Sequence, residues 1–188
     1  MLYWGTGRRA SVLHLLTPDE IYPSLTAVDL ERLRRRGVRG LVLDLDNTLV
    51  AYGRTDPAEA VLDWLRRAQE AGMRLCILSN GRPRRVRLTA QRLGIPWIES
   101  YSKPRRRGFR EAARLLGTQP HETAILGDQL FTDVLGGRRS GFVTVLVNPV
   151  SRRELPHTRL VRLLERLVMR LLLWQGRIDR DAWQLRTS

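Results

Sequence analysis

The chain has 188 residues, 43% of them hydrophobic and 28% charged, with a formal net charge of +14. That length and composition support one globular domain with an ordinary core and room for a terminal appendage. The single cysteine, Cys76, excludes an intrachain disulfide framework and fits a reducing compartment, while no apolar run is long enough to span a bilayer.

Taken in chain order, the opening MLYWGTGRRASVLHLL has no basic leader ahead of a sustained apolar core, so a secretory signal is not expected. Thr17-Pro18-Asp19-Glu20 has the form of a capping box with Pro18 at the first helical position, which predicts a helix start. A second helical stretch runs from about Ala27 to Arg36 and ends at Gly37. Leu41 to Leu45 is an apolar run with no polar alternation until Asp44, as in a strand buried on both faces. Asp56-Pro57-Ala58-Glu59 predicts the next helix, with Asp56 as N-cap, and Gly72 ends it. The pattern then repeats. RLCILSNG reads as a strand and turn, Arg84 to Leu93 as a helix, IPWIES as a short strand and Gly108 to Leu116 as a helix. TAILGDQ reads as a strand, Thr132 to Ser140 as a short helix and FVTVLVN as a last strand. Alternating buried strands and helices predict an α/β fold, a parallel sheet with helices on both faces.

The tail has a different texture. Leu160 to Trp174 predicts an amphipathic helix, with Arg159, Arg162, Arg166 and Arg170 on one face. Leu160, Leu163, Leu164, Leu167, Leu171 and Trp174 lie on the other. Two roles fit: a helix packed on the domain with a solvated basic face, or an interfacial helix on an anionic membrane with Trp174 at headgroup level. The +14 charge by itself suits any anionic partner, whether nucleic acid, an acidic membrane or a phosphorylated substrate.

The residues that carry chemistry fall at the carboxyl ends of the predicted strands, the edge where open α/β sheets bind ligands. They are Asp44 with Asp46, then Ser79, then Asp128 with Asp133. Two carboxylates two residues apart at a strand end repel each other unless a cation or a proton lies between them. Several carboxylates without a histidine or thiolate favour a hard, oxygen-loving ion such as Mg²⁺. His14, His121 and His157 are far apart and lack metal-ligand spacing. Lys103 is the one lysine among 33 basic residues. A lysine can place a point charge in a small pocket, where the planar guanidinium fork does not fit.

Asp44-Leu45-Asp46-Asn47-Thr48, Ser79 at the end of an apolar strand, Lys103, and Gly127-Asp128 followed by Asp133 resemble, in order, the four motifs of the haloacid dehalogenase-like (HAD) phosphohydrolases. The match covers about Arg39 to Pro149. LDLDNTLV, LSNGRPRRV, LGIPWIESYSKP and GDQLFTDVLGGRRSGFVTVLV are similar to the YqeG-type subgroup of the class IIIA HAD phosphatases, relatives of which include phosphatidylglycerophosphate phosphatases. The resemblance implies a three-layer, Rossmann-like core without a cap domain, since only one helix fits between Asp46 and Ser79. It implies the phosphatase core over 39–150 and extends to a helical leader over 1–38; the amphipathic helix and tail over 151–188 come from the residue pattern, where the resemblance is loose.

By that resemblance Asp44 is the nucleophile that forms an aspartyl-phosphate, and Asp46 is the acid and base. Ser79 and the backbone amides near Asn47 and Asn80 hold the phosphoryl oxygens, Thr48 fixes the loop, and Lys103 steadies Asp44 and the transferring group. Mg²⁺ would be held by the Asp44 carboxylate, the Asp46 carbonyl and Asp128, with Asp133 orienting its waters or Lys103. A capless site is open and suits a bulky phosphorylated substrate. Phosphatidylglycerophosphate at the inner face of the membrane, for a cytoplasmic enzyme peripherally attached, is one such substrate; a nucleic-acid end or a phosphoprotein is another. A non-catalytic RNA- or ribosome-associated binding module is the alternative outside enzymology.

Overall fold

A computed structural model describes residues 12–98, 102–151 and 156–178, with the backbone alone for 156–159. The first residues of the expected leader, the end of the IPWIES segment, the Arg159 side chain and the tail beyond 178 lie outside what is described; the described part of IPWIES forms no strand, only an isolated bridge from Trp97 to Ile77. Five strands, β1 (Glu20–Tyr22), β2 (Gly40–Leu43), β3 (Arg74–Ile77), β4 (Thr123–Gly127) and β5 (Val143–Val147), form one parallel sheet in the order β1-β5-β4-β2-β3. The helices are α1 (Val12–Leu15), α2 (Leu30–Arg35), α3 (Glu59–Glu70), α4 (Pro83–Leu93), α5 (Arg106–Leu116), α6 (Leu135–Ser140) and α7 (Pro156–Trp174). Only α3 lies between β2 and β3, as the capless reading requires.

The continuous apolar character of the strands has its cause in burial on two faces. Leu41, Leu43, Leu75, Ile77, Ala124 and Leu126 turn to one core, which α3 closes with Trp64 and Leu65 and α4 with Val86. Val42, Cys76 and Ile125 turn to the other, against Phe109, Ala112 and Leu116 of α5. The Trp64 ring is fully buried, and its indole N–H donates to the Val28 carbonyl at 3.2 Å. Phe109 meets Phe142 edge to face with centroids 5.7 Å apart. Burying either ring contributes about 1.5–3 kcal/mol over leaving it in water.

The structure corrects three further local expectations. Thr17-Pro18-Asp19-Glu20 does not open a helix. Asp19 bonds the β5 backbone at Thr144, donating to its carbonyl at 2.9 Å and accepting from its N–H at 2.8 Å, and Glu20–Tyr22 pairs with Val145–Val147. Sheet pairing outweighs the local capping signal. Asp56 does not cap α3, whose N-cap is Ala58; its carboxylate accepts from Arg92 of α4 at 2.7 Å instead. The helix expected from Thr132 starts earlier, as a π-helix over Leu130–Val134 that runs on into α6.

The tail helix α7 packs on the domain through an unexpected side. Met169 and Leu172 are buried with Leu130, Val134 and Leu146, and Val168 packs against them. Leu160, Leu163, Leu164, Leu167, Leu171 and Trp174 are exposed, Trp174 by 82%. Arg166 and Arg170 are exposed as well, but Arg162 of the expected solvated basic face is turned into the protein, its side chain 14% exposed.

Candidate active site

β2 and β4 are neighbours, so their carboxyl ends bring Asp44 and Asp128 side by side. The Asp44 N–H donates to the Leu126 carbonyl at 2.9 Å, which continues the ladder one residue past the strand. Asp133 reaches the same place from the π-helix, a wide turn of the kind often found at functional sites. Its carboxylate lies so close over Gly127 that any Cβ there would collide with it, which explains glycine before Asp128. Asp133 also accepts from the Gln129 N–H at 3.1 Å, tying down its own loop.

Lys103 completes the cluster. The residue is 6% exposed, and its ammonium donates to Asp133 at 2.6 Å and pairs with Asp44. Asn80 fixes it from behind: the Lys103 N–H donates to Asn80 Oδ1 at 2.7 Å, and Asn80 Nδ2 donates to the Lys103 carbonyl at 3.1 Å. Burial lowers an ammonium's pKa, but the carboxylates of Asp133 and Asp44 outweigh it and hold Lys103 above its ordinary value. Burial pushes Asp44 up to about 8; Lys103 opposes the rise, while Asp133 and Asp128 add to it.

Asp44, Asp128 and Asp133 each offer a carboxylate oxygen within 4.8 Å of the others, and all three are buried. Such a group of hard oxygen donors, short of positive charge, fits Mg²⁺. The Asp46 carboxylate is not among these three. It pairs with Arg85 of α4, and its Oδ1 is buried without a hydrogen-bond partner.

Ser79 and Asp46 meet at Gly81. A Cβ on Gly81 would lie 2.8 Å from Asp46 Oδ2, 2.7 Å from Arg85 Nη2 and 3.3 Å from Ser79 Oγ, so glycine is needed there for the three to converge. Ser79 Oγ accepts from the Gly81 N–H at 3.1 Å. Asn47 has a positive φ of 60°, and its side chain accepts from Tyr52 N–H and Ser151 Oγ, each at 3.1 Å, which ties the loop after Asp46 to the end of the core. Thr48 is fully buried in that loop.

Three participants escaped the sequence reading. Arg85 holds Asp46, and Arg162 and Glu165 of α7 hold the Asp128 loop. Arg85 had a signal in its nearness to the Ser79 turn, but Arg82 and Arg84 shared it. Arg162 and Glu165 lie more than thirty residues beyond Asp128 and had none.

Comparison with known proteins gives the family and the fold. Residues 55–141 match the haloacid dehalogenase-like hydrolase family. The chain is 38% identical over 162 residues to the Bacillus subtilis protein named "Probable phosphatase YqeG", covering 86% of this chain and 94% of that one. It is 30% identical to "Phosphatidylglycerophosphate phosphatase 1, chloroplastic/mitochondrial" of Arabidopsis thaliana, over 82% of this chain and 47% of the plant protein, so it spans about half of that relative. A solved structure of an uncharacterized protein from Listeria monocytogenes serotype 4b shares the fold, with a TM-score of 0.51 at 16% identity over 71% of this chain and 99% of that one. The chain belongs to the haloacid dehalogenase-like hydrolases. Within them it is a phosphatase homologous to the YqeG protein.

Proposed function

We propose that the chain is a Mg²⁺-dependent phosphomonoesterase acting through an aspartyl-phosphate on a lipid phosphate, of the phosphatidylglycerophosphate kind, presented at a membrane surface. The observation that carries the chemistry is the buried set of Asp44, Lys103 and Asp133 beside Asp128 at one sheet edge. In this reading an Asp44 oxygen attacks phosphorus while the bond to the leaving oxygen breaks, and Asp46 gives that oxygen its proton. Asp46 then takes a proton from a water whose oxygen attacks the same phosphorus, which releases phosphate and restores Asp44. Lys103 keeps negative charge on Asp44 and on the transferring group compensated. Ser79 and the backbone N–H groups near Asn47 and Asn80 donate to the phosphoryl oxygens. Arg85 orients Asp46. Bound to Asp44 and Asp128, with the Asp46 carbonyl and Asp133 nearby, Mg²⁺ would offset the charge of the phosphoryl oxygens and favour ionised Asp44.

Two observations support the lipid substrate. The plant relative bears the name of a phosphatidylglycerophosphate phosphatase. The outward face of α7 is a stripe of exposed leucines and Trp174, bordered by exposed Arg166 and Arg170, as suits a helix lying on an anionic surface. Among the described residues no helix is long and apolar enough to cross a membrane, so attachment in this reading is peripheral, at the inner face. Phosphate release should be measured from p-nitrophenyl phosphate and from phosphatidylglycerophosphate in mixed micelles, with and without Mg²⁺. The expected result is Mg²⁺-dependent release from both, faster on the lipid, and none from Asp44→Asn on either. Release that survives in Asp44→Asn rejects the covalent route, and a preference for soluble esters rejects the lipid.

A further inference from the structure

Outside the phosphatase core, α7 reaches back into the site. Arg162 Nη1 donates to the Asp128 carbonyl at 2.5 Å and to Glu165 at 2.9 Å, and Arg162 Nη2 pairs with the Asp128 carboxylate. The other Glu165 oxygen accepts from the Leu130 N–H at 2.6 Å. Asp128 is fully buried, and the Glu165 side chain is 1% exposed. The two α7 residues therefore grip the chain on either side of Gln129, at the carboxylate that would hold a metal.

We propose that Arg162 is the built-in counter-cation of the metal site and sets its affinity for a divalent ion, with Glu165 tuning Arg162 in the opposite sense. The proposal rests on the reading of Asp44, Asp128 and Asp133 as metal ligands. A guanidinium on one Asp128 oxygen and an ion at the same carboxylate draw on the same negative charge. Arg162 also restrains the carboxylate rotamer, which favours the ion. The two effects oppose each other, and magnitude decides between them. Ordering one short side chain costs little, while like charges a few ångströms apart in a buried site repel strongly. Charge wins, and Arg162 weakens metal binding. Its gain is order: with no ion bound, three carboxylates share Lys103 and Arg162 and the loop keeps its shape. Arg162 and Glu165 are thus positioning residues that act through Asp128.

Isothermal titration of chelator-stripped full-length protein with Mg²⁺ tests this without reference to turnover. Arg162→Gln should bind Mg²⁺ about tenfold or more tightly than wild type and melt at a lower temperature when metal-free. Glu165→Gln leaves the Arg162 charge less offset and should weaken Mg²⁺ binding several-fold. Arg162→Lys keeps the charge and should stay within about threefold of wild type. Opposite shifts from two touching residues are not the signature of a merely structural role. Unchanged or weaker binding in folded Arg162→Gln overturns the proposal. Should that variant fail to fold, Glu165→Gln decides, and unchanged or tighter binding there overturns it. A wild-type protein that binds no Mg²⁺ overturns the metal reading and this proposal together, whereas a binding wild type with unshifted variants overturns this proposal alone.

Discussion

Lys103 shows why one position stayed lysine in a chain whose other basic residues are all arginine. Its pocket is sealed, two carboxylates converge on one nitrogen, and the backbone on either side is clipped by Asn80. A guanidinium carries several donors in a plane and would leave some unsatisfied there or displace Asp44. Lys103→Arg should therefore keep the fold yet lose on the order of a hundredfold in phosphate release, since misplacement by about an ångström costs that much. A near wild-type rate, with unchanged circular dichroism, would mean the pocket tolerates the fork. Glu20 makes a second single-residue case, away from the site. Burial raises its pKa, but Tyr22 at 2.7 Å, Arg36 at 2.6 Å and Arg32 outweigh that and hold it below 4.5. A depressed folded-state pKa means that the stability contributed is full above 4.5 and is lost as pH falls below it. Tyr22 sets the other limit. Burial and Glu20 push it up to about 12 from 10, so its contribution is full below pH 10 and is lost as pH climbs from there. Glu20→Gln should cost about 1–3 kcal/mol at neutral pH, and its urea midpoint should change less than that of wild type below pH 4.5. Parallel curves for the two proteins would contradict the assignment.

At the scale of elements, α7 has two apolar sides. Met169 and Leu172 are buried, and the exposed leucines are not. Leu172→Ala should therefore cost about 2–5 kcal/mol, while Leu163→Ser with Leu167→Ser should stay within about 1 kcal/mol of wild type. Urea unfolding distinguishes them, and equal losses would mean that both sides carry the fold. The same helix marks where the sequence stops being legible. The core strands could be read because each is a mainly apolar run that stops at a polar residue, Asp44, Ser79, Asp128 or Asn148. The clustering of the candidate acids could be read because they stand where those runs stop, as with Asp44 and Asp128. Sidedness in α7 could not be read, because leucines at 160, 163, 164, 167 and 171 form a cleaner stripe than the mixed Glu165, Met169 and Leu172 that the protein buries, with Val168 partly covered beside them. The buried stripe is polar at Glu165 only because Glu165 and Arg162 meet the Asp128 loop, a contact made by tertiary structure. Glu20–Tyr22 was hidden for a related reason: a three-residue strand gets its identity from the partner β5, and a local cap motif masks it.

For the whole molecule, the issue is what a net charge of +14 does when one side carries an exposed apolar stripe. Two copies meeting through that stripe would bring their Arg166 and Arg170 residues together and add to a general repulsion, whereas an anionic lipid surface attracts the same charges. Binding to phosphatidylcholine vesicles that contain phosphatidylglycerol should therefore have two parts, one electrostatic and one from apolar insertion. Raising salt from about 0.1 to about 1 M shortens the screening length from about 10 to about 3 Å and should remove most of the first part. Leu163→Ser, Leu167→Ser and Trp174→Ser combined should remove the second, leaving hydrolysis of a soluble ester intact because none of the three touches Asp44, Asp128 or Lys103. Vesicle co-sedimentation across the salt series, alongside lipid-phosphate and soluble-ester hydrolysis, reads all of this in one set of proteins. If the triple variant binds vesicles and hydrolyses the lipid as wild type does, the leucine stripe is not the docking face. If wild type does not bind anionic vesicles even at low salt, the substrate reaches Asp44 from solution, and the charge of the chain serves some other contact.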